Sequence, residues 1–283
     1  MDLHMHTTIS DGSDSPEEIL ARVREAGIQL FSVTDHDAMK GCEIIRSVRA
    51  KEDPAFINGI EFSCKDEHGK YHILGYGYDP DSESMRRVVE VGHGHRIRKV
   101  KARLEYLKET FGFHFTDEEI KDLFKLDNPG KPHIGNLMVK HGYAGSIKEA
   151  IDNFINKKKF HGNEHVRPEE AIEGILGGGG IPVLAHPVYG DGGQLILGDE
   201  MEDRIRRLMD FGLKGLECFY SGFTDKLRDQ MLDSARRHGL YVTAGSDYHG
   251  TNKLVVLGDN GLDAVKEWPD GMVRFLKDVR IEE

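Results

Sequence analysis

The sequence predicts an α/β fold interrupted by an all-helical segment, and three observations carry that expectation. Short apolar runs of strand length alternate with helical patterns over residues 1–80 and again from 168 onward. Between Asp81 and Arg167 the strand signal disappears and helix signals replace it. Side chains able to hold metal ions recur at the ends of the apolar runs, where α/β barrels carry their chemistry. The boundaries that follow are residues 1–80 and 168–283 for a metal-binding body, and 81–167 for a helical insertion covering it.

The elements read in order. Met1–His6 is a short strand. Ser15 followed by Pro16, Glu17 and Glu18 is an N-cap with proline at the first helical position, and that helix ends at Gly27 after Ala26. Strands follow at Leu30–Thr34 and, after another helix, at Ile57–Phe62. Asp66 to Lys70 reads as a hairpin turn into Tyr71–Tyr78. Next come a long polar helix over Met85–Thr110, a capping box at Thr116 to Glu119, and helices near His133–His141 and Ser146–Ile155. A helix from Pro168 to Leu176 ends at the glycines 177–180 and feeds the strand Ile181–Ala185. The four glycines precede their strand and lack the spacing of a phosphate loop, so they read as a helix end and tight turn. The helix Glu200–Phe211, the strand Gly215–Phe219, the helix Thr224–His238 and the strand Leu240–Ala244 complete the alternation.

Composition narrows the function classes. The chain has 283 residues with 38% hydrophobic content, enough for one large α/β domain or a barrel with an insertion. Its longest apolar runs are strand-sized, far short of the roughly 20 residues of a membrane-spanning helix. His4 already belongs to the ligand pattern, so no cleaved leader is expected. Cys42, Cys64 and Cys218 are odd in number and widely spaced, which reads as reduced thiols in a cytoplasm. The net charge of −11 argues against binding duplex DNA. That charge is uneven: residues 81–170 hold 17 Lys and Arg against 15 Asp and Glu, and the remainder 21 against 34. A near-neutral, histidine-rich segment beside an acidic body could meet an anionic substrate or simply be a solvated helical surface.

Nine residues form the candidate metal set: His4, His6, Asp11, His36, Glu61, His72, His186, Asp247 and His249. His4 and His6 share one strand face by the two-residue period. Asp11 lies in a Ser-Asp-Gly turn and His36 in Thr-Asp-His-Asp after an apolar strand. Asp35 and Asp37 there can accept hydrogen bonds behind a ligand, with helix capping as the alternative for Asp37. Glu61 has two oxygens available to bridge ions. His72 is on the return strand of the hairpin, His186 precedes Pro187, and Asp247 and His249 repeat the two-residue spacing. Six imidazoles and three carboxylates exceed one four-coordinate zinc and suit two or three divalent ions. Clustered ions of this kind hydrolyse phosphate esters or amides. Mixed nitrogen and oxygen donors leave Mn, Fe and Zn open.

In this order His-x-His, Ser-Asp-Gly, Thr-Asp-His-Asp, Gly-x-Glu, the hairpin histidine, Ala-His-Pro and Gly-Ser-Asp-x-His resemble the polymerase and histidinol phosphatase (PHP) family. Its stand-alone phosphoesterase branch, with a helical insertion, is the nearest likeness. The resemblance implies a distorted (β/α)7 barrel with a trinuclear site. One ion would take His4, His6, Glu61 and Asp247, a second Glu61, His72 and His186, and a third Asp11, His36 and His249. Glu61, Asp247 and His249 would be central to catalysis. In the insertion, Lys131-Pro132-His133-Ile134-Gly135-Asn136 matches less well: His133 is retained as a phosphate contact, while Asn136 replaces an arginine. Lys131 or the lysines 157–159 could supply that charge, the latter being otherwise a solvated run.

The expected activity is hydrolysis of a phosphate monoester on a nucleotide or short oligonucleotide end by a metal-activated water. A phosphodiesterase or exonuclease, or a histidinol-phosphate type of phosphatase, is the close alternative. A binuclear amidohydrolase acting on C–N bonds is a further one, disfavoured because no lysine ends a middle strand.

Overall fold

The structure, a computed structural model, describes residues 1–158, 165–189 and 195–282. Lys159, the last of the three lysines read above, falls outside them. The chain is an α/β fold. The hairpin β3 (Gly59–Asp66) and β4 (Gly69–Tyr76) is antiparallel, with its turn at Glu67 and His68 as the sequence predicts. β4 pairs antiparallel with β5 (Ile181–Leu184), and β5, β6 (Gly215–Tyr220) and β7 (Tyr241–Gly245) continue in parallel. A separate parallel pair joins β1 (Leu30–Phe31) to β2 (Ala55–Phe56).

The strands nearest the ligands are more broken than the apolar runs suggest. Met1–His6 makes only isolated bridges, at Asp2 and Met5. Its backbone is nonetheless bonded on both sides: Asp2 N–H to Leu30 O and Thr34 N–H to Met5 O, then Leu3 N–H to Ala244 O and His6 N–H to Tyr248 O. The expected strand Ile57–Phe62 divides at Asn58, whose side-chain amide turns to the Tyr78 carbonyl and Glu282. Side-chain bonds of this kind compete with a regular ladder.

Helices flank the strands. α1 (Pro16–Glu25) has the expected capping box from Ser15 and Glu18, and buries Ile19, Leu20 and Val23. Together with α2 (Lys40–Val48) it packs over Phe31, Val33 and Phe56. α7 (Pro168–Gly177), α8 (Gly198–Asp210) and α9 (Asp225–Arg237) cover the other sheet in one large apolar cluster. A last helix, α10 (Asp270–Asp278), inserts Phe275 among Leu3, Leu74 and Val183. The reading above does not anticipate it, although Met272, Phe275 and Val279 sit at helical spacing.

Residues 83–157 are helical throughout their ordered elements, as expected. α3 (Glu83–Phe111) runs for 29 residues, followed by α4 (Asp117–Phe124) with its Thr116 capping box, and α5 (Lys131–Lys140). The expected helix at Ser146–Ile155 is instead a short α6 (Ile147–Glu149) passing into a π turn over Ala150–Phe154. Val100, Leu107, Leu123, Ile134, Met138 and Ile155 form a separate small core here.

Candidate metal centre

All nine ligand candidates converge: His186, Asp247 and His249 follow the ends of β5 and β7, whereas Glu61 and His72 lie inside β3 and β4 rather than at an end as the apolar runs suggest. His4 and His6 sit between the segments that carry Thr34 and Ala244, and both are fully buried. The period-two geometry aims both imidazoles one way, with their Nε2 atoms 3.2 Å apart. Glu61 is 1% exposed at the centre. Its Oε2 is 3.3 Å from His4 Nε2, 3.1 Å from His6 Nε2 and 3.2 Å from His36 Nδ1. Its Oε1 is 2.9 Å from His72 Nδ1 and 3.3 Å from His186 Nε2. Asp247 Oδ1 faces His4 and His6 at 3.5 and 3.4 Å. Asp11 joins His249 at 3.3 Å, His6 at 3.6 Å and His36 at 3.8 Å.

The donor set fits divalent ions. Ligand bonds of 2.0–2.2 Å around one ion place neighbouring donors about 3–3.6 Å apart, close to the 2.9–3.8 Å seen here. Donor atoms of His6, Asp11, His36 and His249 lie within 4.8 Å of one another, as do those of His4, His6 and Glu61, and of His36, Glu61 and His72. The electrostatics agree. Burial alone would raise the Glu61 carboxyl, yet His72, His4 and His36 hold it well below its ordinary value. Burial disfavours charge on His4 as well, but Glu217, Glu61 and Asp247 outweigh it and raise that imidazole. His6 is likewise pushed up to about 9 against its burial, by Asp247 and Glu61. A field that recruits protons onto His4 and His6 is one that a bound cation would satisfy in their place, while burial pushes His36 down to about 3 and His249 below its ordinary value, the neutral form that ligates metal.

Among the described residues, three other than glycine have left-handed backbones: Asp37 (φ 51°), His186 (φ 27°) and Asp247 (φ 58°). All three are ligand candidates or next to one. Conformations this sparsely populated persist where surroundings hold them, and they concentrate at functional sites.

Several supporting residues escape the sequence reading. Glu217 on β6 is fully buried; its Oε1 meets His4 Nδ1 at 2.9 Å and its Oε2 accepts from the His186 N–H at 2.8 Å. One carboxylate thus holds two ligand candidates that lie far apart in the chain. Tyr220 donates to Asp247 Oδ2 at 3.0 Å and Lys253 at 2.6 Å, which leaves Oδ1 for the centre. The position of Glu217 inside an apolar strand, Gly-Leu-Glu-Cys-Phe-Tyr, is the one signal that could have found it. Asp35 does accept behind the ligands, from Thr7 and Ser10. Asp37 bonds Arg96 and the Ser63 N–H, and Met39 rather than Asp37 precedes α2 as its cap. Tyr248 turns away from the centre, its hydroxyl on Asp14.

The insertion candidates lie beside the centre. A cleft of about 280 Å³ is bordered by Asp11 and His36 on one side and by Arg96, Lys99, Arg103 and Lys131 on the other. Lys131 Nζ donates to Asn156 Oδ1 at 2.7 Å. His133 Nδ1 accepts from the Gly130 N–H at 3.1 Å, capping α5 and leaving Nε2 as its other polar atom.

A fold of buried strand-end imidazoles and carboxylates grouped for several ions defines the class, a metal-dependent hydrolase. The chain belongs to the PHP domain family, whose model matches residues 2–278. It is 27% identical over 260 residues to the 3',5'-nucleoside bisphosphate phosphatase of Chromobacterium violaceum, covering 88% of this chain and 87% of that protein. It is 29% identical over 255 residues to the phosphoribosyl 1,2-cyclic phosphate 1,2-diphosphodiesterase of Eggerthella lenta, covering 88% and 94%. A solved structure from Bifidobacterium adolescentis, described as a metal-dependent phosphoesterase, superposes with a TM-score of 0.77 at 27% identity, covering 99% of this chain and 96% of that one.

Proposed function

We propose that this metal-dependent phosphoester hydrolase cleaves a phosphate monoester on a nucleotide or on the end of a short oligonucleotide. The observation that carries the reading is the convergence of nine ligand candidates, in which five imidazoles face the two oxygens of Glu61, beside a cleft bordered by cationic side chains. His4, His6, Asp11, His36, Glu61, His72, His186, Asp247 and His249 would hold two or three ions. Divalent ions bound there lower the pKa of a water nucleophile and offset charge developing on the phosphoryl oxygens.

The chain's own residues do the rest. Glu61 offers one oxygen to each side of the centre, and Glu217 locks the tautomer and orientation of His4. Asp247 is held by Tyr220 and Lys253, and with His249 completes the centre. Lys131 and the free ring nitrogen of His133 would meet the substrate phosphate or the group attached to it. The strand ends are supported as a distorted (β/α)7 barrel by the bonds of Met1–His6 to both the Leu30 and the Ala244 segments. The separate core of residues 100–155 supports a helical insertion domain over 81–167. Buried Cys42, Cys64 and Cys218 suit a reducing cytoplasm.

Diester cleavage is the second reading. The relationship to a diphosphodiesterase favours it, and the donor set itself does not choose between ester types. Turnover of p-nitrophenyl phosphate, bis-p-nitrophenyl phosphate, AMP, histidinol phosphate and N-acyl amino acids with added Mn²⁺ decides. The expected order places AMP and p-nitrophenyl phosphate first. Hydrolysis of the N-acyl amino acids alone would end the phosphoester reading.

A further inference from the structure

Arg96 belongs to α3, in the helical region, yet its guanidinium reaches the loop that carries His36. It donates to Asp37 Oδ2 from Nε at 3.0 Å and from Nη2 at 2.7 Å, and from Nη2 to Ser63 Oγ at 3.1 Å. Asp37 directly follows His36 and holds a left-handed backbone that needs support from its surroundings. The other Asp37 oxygen accepts from the Ser63 N–H at 2.9 Å, tying the loop to β3 two residues past Glu61. Ser63 Oγ in turn meets His36 Nδ1 at 3.3 Å, and the same nitrogen stands 3.2 Å from Glu61 Oε2. Asn128, just ahead of α5, donates to the His36 carbonyl at 2.5 Å. The helical region therefore grips His36 directly at its carbonyl, and indirectly through Asp37 and through Ser63 on β3, which meets its ring.

We infer that Arg96 is a positioning residue for His36, acting through Asp37 and Ser63, so that α3 sets the geometry of the ion group formed by Asp11, His36 and His249. The inference rests on the proposed metal reading of His36. An ordinary surface tether looks different: Arg86 and Asp81, near the start of the same helix, are 61% and 80% exposed, whereas the Arg96 and Asp37 side chains are 22% and 5% exposed. Exposed pairs hold little geometry, while a forked guanidinium on a buried carboxylate fixes it. A purely structural Arg96 would affect unfolding alone; a positioning Arg96 changes ion binding in a chain that is still folded.

The test is Mn²⁺ binding to the intact protein, read by the paramagnetic resonance of free Mn²⁺ and by plasma emission after gel filtration, beside thermal unfolding. Arg96→Ala is expected to retain one equivalent fewer than the wild type and to weaken its poorest site by roughly 10- to 100-fold. Arg96→Lys keeps the charge without the fork and should fall between the two. Ser63→Ala leaves the Arg96–Asp37 pair in place and should shift binding in the same direction. If Arg96→Ala does not fold, the other two variants carry the test. Wild-type stoichiometry and affinity in the folded variants would overturn the inference. A wild-type protein that binds no Mn²⁺, Fe²⁺ or Zn²⁺ would instead overturn the metal reading beneath it.

Discussion

The strand-end centre and the helical region use the same residue types in opposite ways. In the centre, imidazoles face carboxylates at 2.9–3.8 Å around a buried core, as His4 and His6 face Glu61. In the helical region histidines serve helix ends and half-exposed pairs: His133 caps α5 and His141 bonds Glu119. Burial of His4, His6 and Glu61 separates the two, although His72 at the rim of the centre is 34% exposed against 25% for His141. A buried donor crowd is tolerable only if an ion or proton completes it, whereas a half-exposed histidine is completed by water. On the proposed reading, ion binding would fall to the donors around Glu61 and substrate contact to the helices.

Removal of the ions should break the comparison most severely. Exhaustive chelation is expected to abolish phosphatase activity and to lower the thermal midpoint by on the order of 10 °C, since binding at a thousandfold above Kd contributes about 4 kcal/mol. Calorimetry with and without chelator, followed by Mn²⁺ add-back, measures this. An unchanged midpoint with full activity would place the chemistry elsewhere.

Loss of one ligand comes next. Asp247→Ala removes an anionic donor, and it leaves Lys253 and Tyr220 without their shared acceptor. Its kcat/KM at limiting Mn²⁺ should fall by more than about a hundredfold, beyond the effect typical of an outer partner. Near wild-type turnover would refute its place in the centre.

Glu217→Gln sharpens the boundary of the centre. The amide can keep one bond to the His186 N–H but loses the charge against His4, so affinity for Mn²⁺ should drop by roughly 10- to 100-fold with the fold intact. Isothermal titration checks it; equal affinities would make Glu217 a packing residue only.

The smallest effect is expected from the helical side. His133→Ala should leave metal content unchanged and lower kcat/KM for nucleotides by roughly tenfold to a hundredfold, the worth of one charge-assisted phosphate contact. Loss of the cap should cost about 1 kcal/mol besides. Kinetics well below the unfolding temperature separate the two consequences. An unaltered kcat/KM there would reduce His133 to the helix cap and withdraw the helical region from the substrate.

What the sequence determined by itself is what short-range rules govern. The two-residue period aimed His4 and His6 together, Ser15 and Thr116 started their helices where capping chemistry requires, and the turn at Glu67 and His68 made a hairpin. Nine ligand candidates were legible because each stands beside an apolar run and because their order matches one family. Tertiary structure alone decided how those residues are held. Glu217 meets His4 across 213 residues of chain, Arg96 on α3 reaches Asp37 in the loop ahead of α2, and α10 buries Phe275 beneath the sheet. No local pattern encodes such partners, because packing chooses them. The left-handed backbones of Asp37, His186 and Asp247 are legible only there for the same reason: unfavourable locally, they are sustained by hydrogen bonds such as that from Arg96 to Asp37 and that from the His186 N–H to Glu217.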